Sequence, residues 1–148
     1  ARTGGASMTG HARYFEDLKL GETAERATLI TAELTRQFAA FSGDDNPTHV
    51  DADYAAKLDM PAPSVHGMLY VSLLSGVLGS ALPGHGSVYL AQSVTFHGDV
   101  HAGDMLTARV TVTELDPATG NIVLQTDCFV GDHRVLEGTA LMRLPRRL

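Results

Sequence analysis

The sequence predicts an α+β domain in which one curved antiparallel sheet wraps a long, buried central helix. Three observations carry this. Apolar residues occupy most of the circumference of residues 64–82 (SVHGMLYVSLLSGVLGSAL), and a helix apolar nearly all round is a buried one. Downstream of it the hydrophobic period changes from 3.6 to 2 and stays there. A chain of 148 residues, 44% of them apolar, has enough material for one core, and a curled sheet is the layer that hides such a helix.

Taken in order, residues 22–30 predict a first strand. A helix follows, capped by Thr31, with Glu33 in its first turn and Leu34, Phe38 and Phe41 at i, i+4 and i+7. Gly43 ends it. Residues 44–51 (DDNPTHVD) read as a loop, because Asp, Asn and Pro favour turns and Pro47 biases Asn46 away from helical angles. A short helix is expected around residues 53–58. The buried helix over 64–82 is stopped by Pro83 and Gly84. Val88, Leu90, Val94 and Phe96 then alternate with Tyr89, Ala91, Ser93 and Thr95, and Leu106, Ala108, Val110 and Val112 repeat the pattern. Residues 122–130 and 135–144 supply two more strands. The links 116–121 (DPATGN) and Gly131-Asp132 have turn composition, which suits an antiparallel meander. Such a sheet leaves open edges, and pairing with a second copy is one way to cover them, so a homodimer is expected.

Composition narrows the function. Eleven Lys+Arg against seventeen Asp+Glu give a formal charge of −6, which argues against a broad basic face for nucleic acid. One cysteine, Cys128, excludes an intramolecular disulfide framework and a Cys-rich zinc module. The best apolar run, residues 68–82, is too short to span a membrane and is broken by Gly76 and Gly79. Residues 1–7 (ARTGGAS) are small and polar with no apolar run behind them. They are expected to be carried over from expression, with a natural start at Met8 and a single cytoplasmic domain over 8–148.

The densest polar constellation is Gly43-Asp44-Asp45-Asn46-Pro47-Thr48-His49. A carboxylate and an imidazole five positions apart on a turn can point into one space, hold a water molecule by two hydrogen bonds and move its protons either way. The alternative is that Asp and Asn cap the neighbouring helix and His49 is a surface residue. At Ser64-Val65-His66-Gly67-Met68, the unpaired amides of a helix start suit a developing oxyanion, and Gly67 lets a substrate approach the backbone. Close helix–sheet packing is the other use for that glycine. His97 and His101 have HxxxH spacing, but Gly98, Asp99 and Gly103 place them in a loop without a third metal ligand. His66 is expected to pack at the helix start, outside the catalytic set. Cys128, on an alternating strand, reads as buried and inert. Gly84-His85-Gly86 lacks the spacing and lysine of a phosphate loop.

The run Phe41-Ser42-Gly43-Asp44-Asp45-Asn46-Pro47-Thr48-His49-Val50-Asp51 resembles the S-G-D-x-N-P-x-H-x-D signature of the (R)-specific enoyl-CoA hydratases, the MaoC-like hydratase-2 group of the hot-dog fold. Val65-His66-Gly67-Met68-Leu69 resembles that family's central helix. The likeness continues through Leu82-Pro83-Gly84, Ser87-Val88-Tyr89-Leu90, Phe96 and Ala102-Gly103-Asp104, from about Tyr14 to Pro145. Thr48 stands where the family usually has Leu, Ile or Val. The resemblance implies reversible addition of water to a trans-2-enoyl-CoA, giving an (R)-3-hydroxyacyl-CoA. By the same resemblance Asp44 and His49 are the catalytic pair, Asn46 is a substrate-positioning residue in the same loop, and the Gly67 amide is the oxyanion donor. It also implies a working dimer and no metal or redox cofactor, CoA being part of the substrate. Two other enzymes fit the same features: a dehydratase acting on a carrier-protein thioester and a hot-dog thioesterase. A non-catalytic acyl-CoA-binding subunit is a further alternative, although a pure binder has no use for the Asp44/His49 pair.

Overall fold

The computed structural model describes residues 13–147 and has the order of elements the periodicities predict. Residues 1–7, expected to lie outside the domain, fall outside the described residues. Strand β1 (Thr23–Leu29) leads into helix α1 (Ala32–Ser42), whose cap is Thr31: its hydroxyl accepts the Leu34 N–H at 3.0 Å. Gly43 stops the helix with φ +78°, a left-handed conformation that glycine adopts without a Cβ penalty.

Residues 44–51 are not wholly a loop. Pro47–Val50 forms a four-residue helix, α2, and Ala52–Lys57 forms α3. The turn chemistry that suggested a loop works here as capping. Pro47 has its φ preset for a first helical turn, Asn46 accepts the Thr48 N–H, and Asp51 accepts the Tyr54 N–H.

The central helix, α4 (Gly67–Ser80), starts three residues later than its apolar run. Ser64 and Val65 are held outside it: the Val65 N–H donates to the Val100 carbonyl at 2.7 Å and the Ser64 N–H to the Thr48 carbonyl at 3.1 Å. Gly67 is therefore the first helical residue.

Strands β2 (Val88–Phe96), β3 (Met105–Asp116), β4 (Asn121–Val130) and β5 (His133–Arg143) complete a five-stranded sheet in the order β1-β3-β4-β5-β2, antiparallel throughout. The meander is real for β3-β4-β5 alone. β2 lies at the far edge beside β5 rather than beside β3. Three strand spacings separate β2 from β3, about 14 Å, and the eight residues 97–104 reach at most about 28 Å. The link therefore crosses the end of the sheet with length to spare. It is pinned by Val100, which is fully buried.

A bulge between Tyr89 and Ala91 also resets the phase of β2. Tyr89, Gln92, Val94 and Phe96 oppose Met142, Ala140, Gly138 and Leu136, so these four share the face turned to α4. Val88 and Leu90 do not join that face and are exposed.

The core fills the space between the sheet's concave face and α4. Leu69, Tyr70, Leu74, Val77 and Leu78 of α4 meet Leu106, Ala108, Val110 and the inner face of β4, Ile122, Leu124, Thr126 and Cys128. Fully burying one leucine contributes roughly 1.5–3 kcal/mol, and Leu74 and Leu78 are both fully buried. Two expectations fail at the margins. Phe41 is 90% exposed, because the inward face of α1 is formed by Leu34, Thr35, Phe38 and Ala39. Within one chain the sheet covers one side of α4, and Met68 is 59% exposed.

Cys128 is buried with its thiol against the Tyr70 carbonyl, and burial pushes its pKa up to about 12. His97 reaches Glu137 and His101 reaches the Pro63 carbonyl, so the HxxxH pair does not converge. Among the described residues, no helix is long and apolar enough to cross a membrane.

Candidate active site

The site is assembled from two chain segments, residues 44–49 and residues 64–67. After the Gly43 reversal, Asp44 forms an Asx turn: its Oδ1 accepts the Asn46 N–H at 3.3 Å. Asn46 Oδ1 accepts the Thr48 N–H at 3.2 Å and so starts α2, which carries His49. The capping reading holds for Asn46 alone: Asp44 makes an Asx turn and caps no helix, and His49 is half-buried rather than a surface residue. The Asn46 side-chain oxygen is thus engaged locally, at the start of α2.

His49 is half-buried, and its Nδ1 lies 2.7 Å from the Ser64 carbonyl. A carbonyl only accepts, so Nδ1 carries the hydrogen and Nε2 is left for another partner. The side chains of Asp44, His49 and His66 converge, each offering a donor atom within 4.8 Å of the others. They are the described residues' one such grouping of possible metal ligands, with one nitrogen of each ring already committed to a main-chain carbonyl.

His66, expected to pack at the helix start outside the catalytic set, lies in the same cluster. It is 1% exposed, its Nε2 donates to the Asp44 carbonyl at 2.8 Å, and its Nδ1 has no partner. Its ring lies 4.0 Å from that of His49, tilted 31°, with Phe38 on it at 5.0 Å. The available signal was a histidine set in an apolar run beside the helix start, a position where burial demands a partner.

Gly67 follows directly. As the first residue of α4 it has no intrahelical partner for its N–H, and no acceptor for it occurs among the described residues. A Cβ at Gly67 would come within 2.8 Å of the Phe96 ring, so a side chain from β2 roofs this glycine. Asp44 and His49 converge, and Gly67 follows His66 of the same cluster in the chain.

A cleft of about 200 Å³ is lined by His49 together with, among others, Thr35, Arg36, Pro63, Val65 and His101. Neither Asp44 nor Gly67 lines it.

A carboxylate and an imidazole at this spacing can share one water molecule, and a free helix-start amide beside them can take a developing negative charge. The profile of the MaoC like domain matches residues 19–128. The chain belongs to the MaoC-like family. It is 42% identical over 134 residues to the (R)-specific enoyl-CoA hydratase of Rhodospirillum rubrum, covering 90% of this chain and 93% of that protein. Identity to the 3-hydroxybutyryl-CoA dehydratase of Methylorubrum extorquens is 38%, covering 90% and 85%. Among solved structures, the (R)-hydratase from A. caviae involved in PHA biosynthesis superposes with a TM-score of 0.85 at 41% identity, over 88% of this chain and 99% of that one. The hot-dog fold expected from the motifs is the fold found. The family profile ends inside β4, yet β5 pairs with both β4 and β2 and so belongs to the same MaoC-like sheet.

Proposed function

We propose that this MaoC-like chain adds water reversibly to a trans-2-enoyl-CoA to give an (R)-3-hydroxyacyl-CoA, with Asp44 and His49 as the catalytic pair and the Gly67 amide as oxyanion donor. The observation that carries the Asp44/His49 assignment is the convergence of that carboxylate and imidazole; the Gly67 assignment is supported by its unpaired helix-start amide, next in the chain to His66 of the same cluster. Water bound between them donates one hydrogen bond to His49 Nε2 and one to the carboxylate. Its oxygen bonds to C3, one of its protons passes to the pair, and the pair returns a proton to C2. As the C2–C3 π bond breaks, charge builds on the thioester oxygen, where the Gly67 N–H stabilises it. Loss of one such donor typically costs about 10²–10³-fold. Asn46 holds His49 in place by starting α2.

The first test is loss of crotonyl-CoA absorbance with chiral analysis of the product. (R)-3-hydroxybutyryl-CoA is expected, and the (S) product or free CoA would refute the reading. A second reading, dehydration of a carrier-protein thioester, has support in 30% identity to the mitochondrial 3-hydroxyacyl-[acyl-carrier-protein] dehydratase of Arabidopsis thaliana. The relatives above 35% identity carry CoA in their names, which favours the CoA ester. Turnover of matched CoA and carrier-protein substrates separates the two.

The working unit in this proposal is a homodimer. It is supported by the open β2 edge, with Val88 and Leu90 exposed, and by Phe41 and Met68 standing free near the site. A cytoplasmic location belongs to the same proposal and agrees with a cysteine kept as a buried thiol.

A further inference from the structure

We infer that His66 is a positioning residue that sets the separation of the Asp44 carboxylate and the His49 imidazole without itself touching substrate. The inference rests on the Asp44/His49 reading above.

Asp44 sits on an exposed turn, and its other hydrogen bonds, with Ser42 Oγ and the Asn46 N–H, reach no further than two residues. The bond from His66 Nε2 to its carbonyl comes from 22 residues away and is the long-range tie on that residue. His49 is tied to the same stretch, because its Nδ1–H donates to the Ser64 carbonyl. Residues 64–66 therefore clasp both members of the pair and then present the Gly67 amide. His66 also backs the His49 ring at 4.0 Å and is itself backed by Phe38.

Packing alone does not account for a histidine here. The ring is 1% exposed and one of its nitrogens is left without a partner, a cost that a phenylalanine of similar shape would avoid. A residue that breaks a packing rule at a functional site is retained for what its remaining contact does. In this case that contact is the bond to Asp44.

The test compares His66→Phe and His66→Gln with Asp44→Asn, reading kcat and KM for crotonyl-CoA per folded molecule, with melting curves alongside. His66→Phe keeps the bulk and loses the donor. Its kcat should fall about 10²-fold, the scale of an ångström misplacement of reacting groups, with KM within about threefold. His66→Gln retains an N–H that can reach the Asp44 carbonyl and should recover about tenfold of that loss. Unchanged kcat per folded molecule in the phenylalanine variant, whatever its melting temperature, overturns the inference. So does a glutamine variant no faster than phenylalanine. Wild-type turnover in Asp44→Asn would instead refute the catalytic reading and this inference with it, so the two failures are told apart.

Discussion

Replacing Gly67 with alanine separates the oxyanion assignment from a packing one. The added Cβ would lie 2.8 Å from Cε1 and Cζ of Phe96. Carbon atoms prefer about 3.5–4.0 Å, so the ring must retreat by about 1 Å. Phe96 is on the edge strand and 46% exposed, so it has somewhere to go. Its edge-on contact with Tyr70, centroids 5.6 Å apart at 85°, loosens as it moves, at a cost of about 0.5–1.5 kcal/mol. Alanine's helical preference over glycine returns up to about 1 kcal/mol. The two terms nearly cancel, and the melting temperature should stay within about 4 °C of wild type.

The rate should behave differently. The alanine amide still donates, but the methyl and the Phe96 ring it pushes aside crowd that amide, and on the proposed reading kcat for crotonyl-CoA should fall about 10²-fold. Phe96→Leu is the control, since it vacates the ring position without adding anything to Gly67. If Phe96→Leu alone reproduces the loss, or if Gly67→Ala keeps kcat within about threefold while folded, the amide is not the oxyanion site. Valine is a poorer probe, because its branches drive further into the same ring and overpacking typically costs about 1–3 kcal/mol.

Asp44→Asn, nearly isosteric, should keep the fold and lower hydration by about 10²–10⁴-fold, and His49→Ala should cost a similar amount. The double variant should lose far less than the product of the two if, as proposed, both groups act on one water; full multiplicativity in single-turnover rates would argue for separate roles. Burial raises the folded pKa of Cys128 from 9.0 to about 12 and that of Tyr70 from 10.0 to about 12. Their neutral forms are therefore favoured by folding, and that stability, full below about pH 9, is lost as pH rises toward 12. Denaturant midpoints followed over this range should fall, and iodoacetamide at pH 8 should label Cys128 only after unfolding. Sedimentation at micromolar concentration should give about 31 kDa, twice the 15.7 kDa chain. Val88→Lys with Leu90→Lys on the exposed edge should shift it toward the monomer with the fold intact, whereas a wild-type monomer with full activity would exclude the dimer as the working unit.

Local periodicity made the elements legible. Alternation over 122–130 becomes a strand buried at every second residue, and the nearly all-apolar run after His66 becomes the central helix. Pairing order was not legible, because β2 alternates just as it would beside β3; its place beside β5 is decided by how far the 97–104 link crosses the sheet end. A one-residue bulge at Leu90 then changed which side chains face the helix, a shift that leaves no mark in composition. Phe41 fits the helical stripe of α1 equally well, and only the reach of the sheet decides that it stands in the open.

The site divides along the same line. Asp44 and His49 lie five positions apart on one turn, so their convergence is a local fact that spacing reports. His66 meets Asp44 across 22 residues, and that contact exists only because Val65 is pulled onto Val100 and Ser64 onto Thr48 before α4 begins. Those two bonds also delay the helix start to Gly67, which frees the amide proposed to hold the thioester. The late start of the helix and the burial of His66 are thus one structural event. A change that let α4 begin at Ser64 would give the Gly67 N–H an intrahelical acceptor and pull Ser64 and His66 away from the Asp44–His49 segment together.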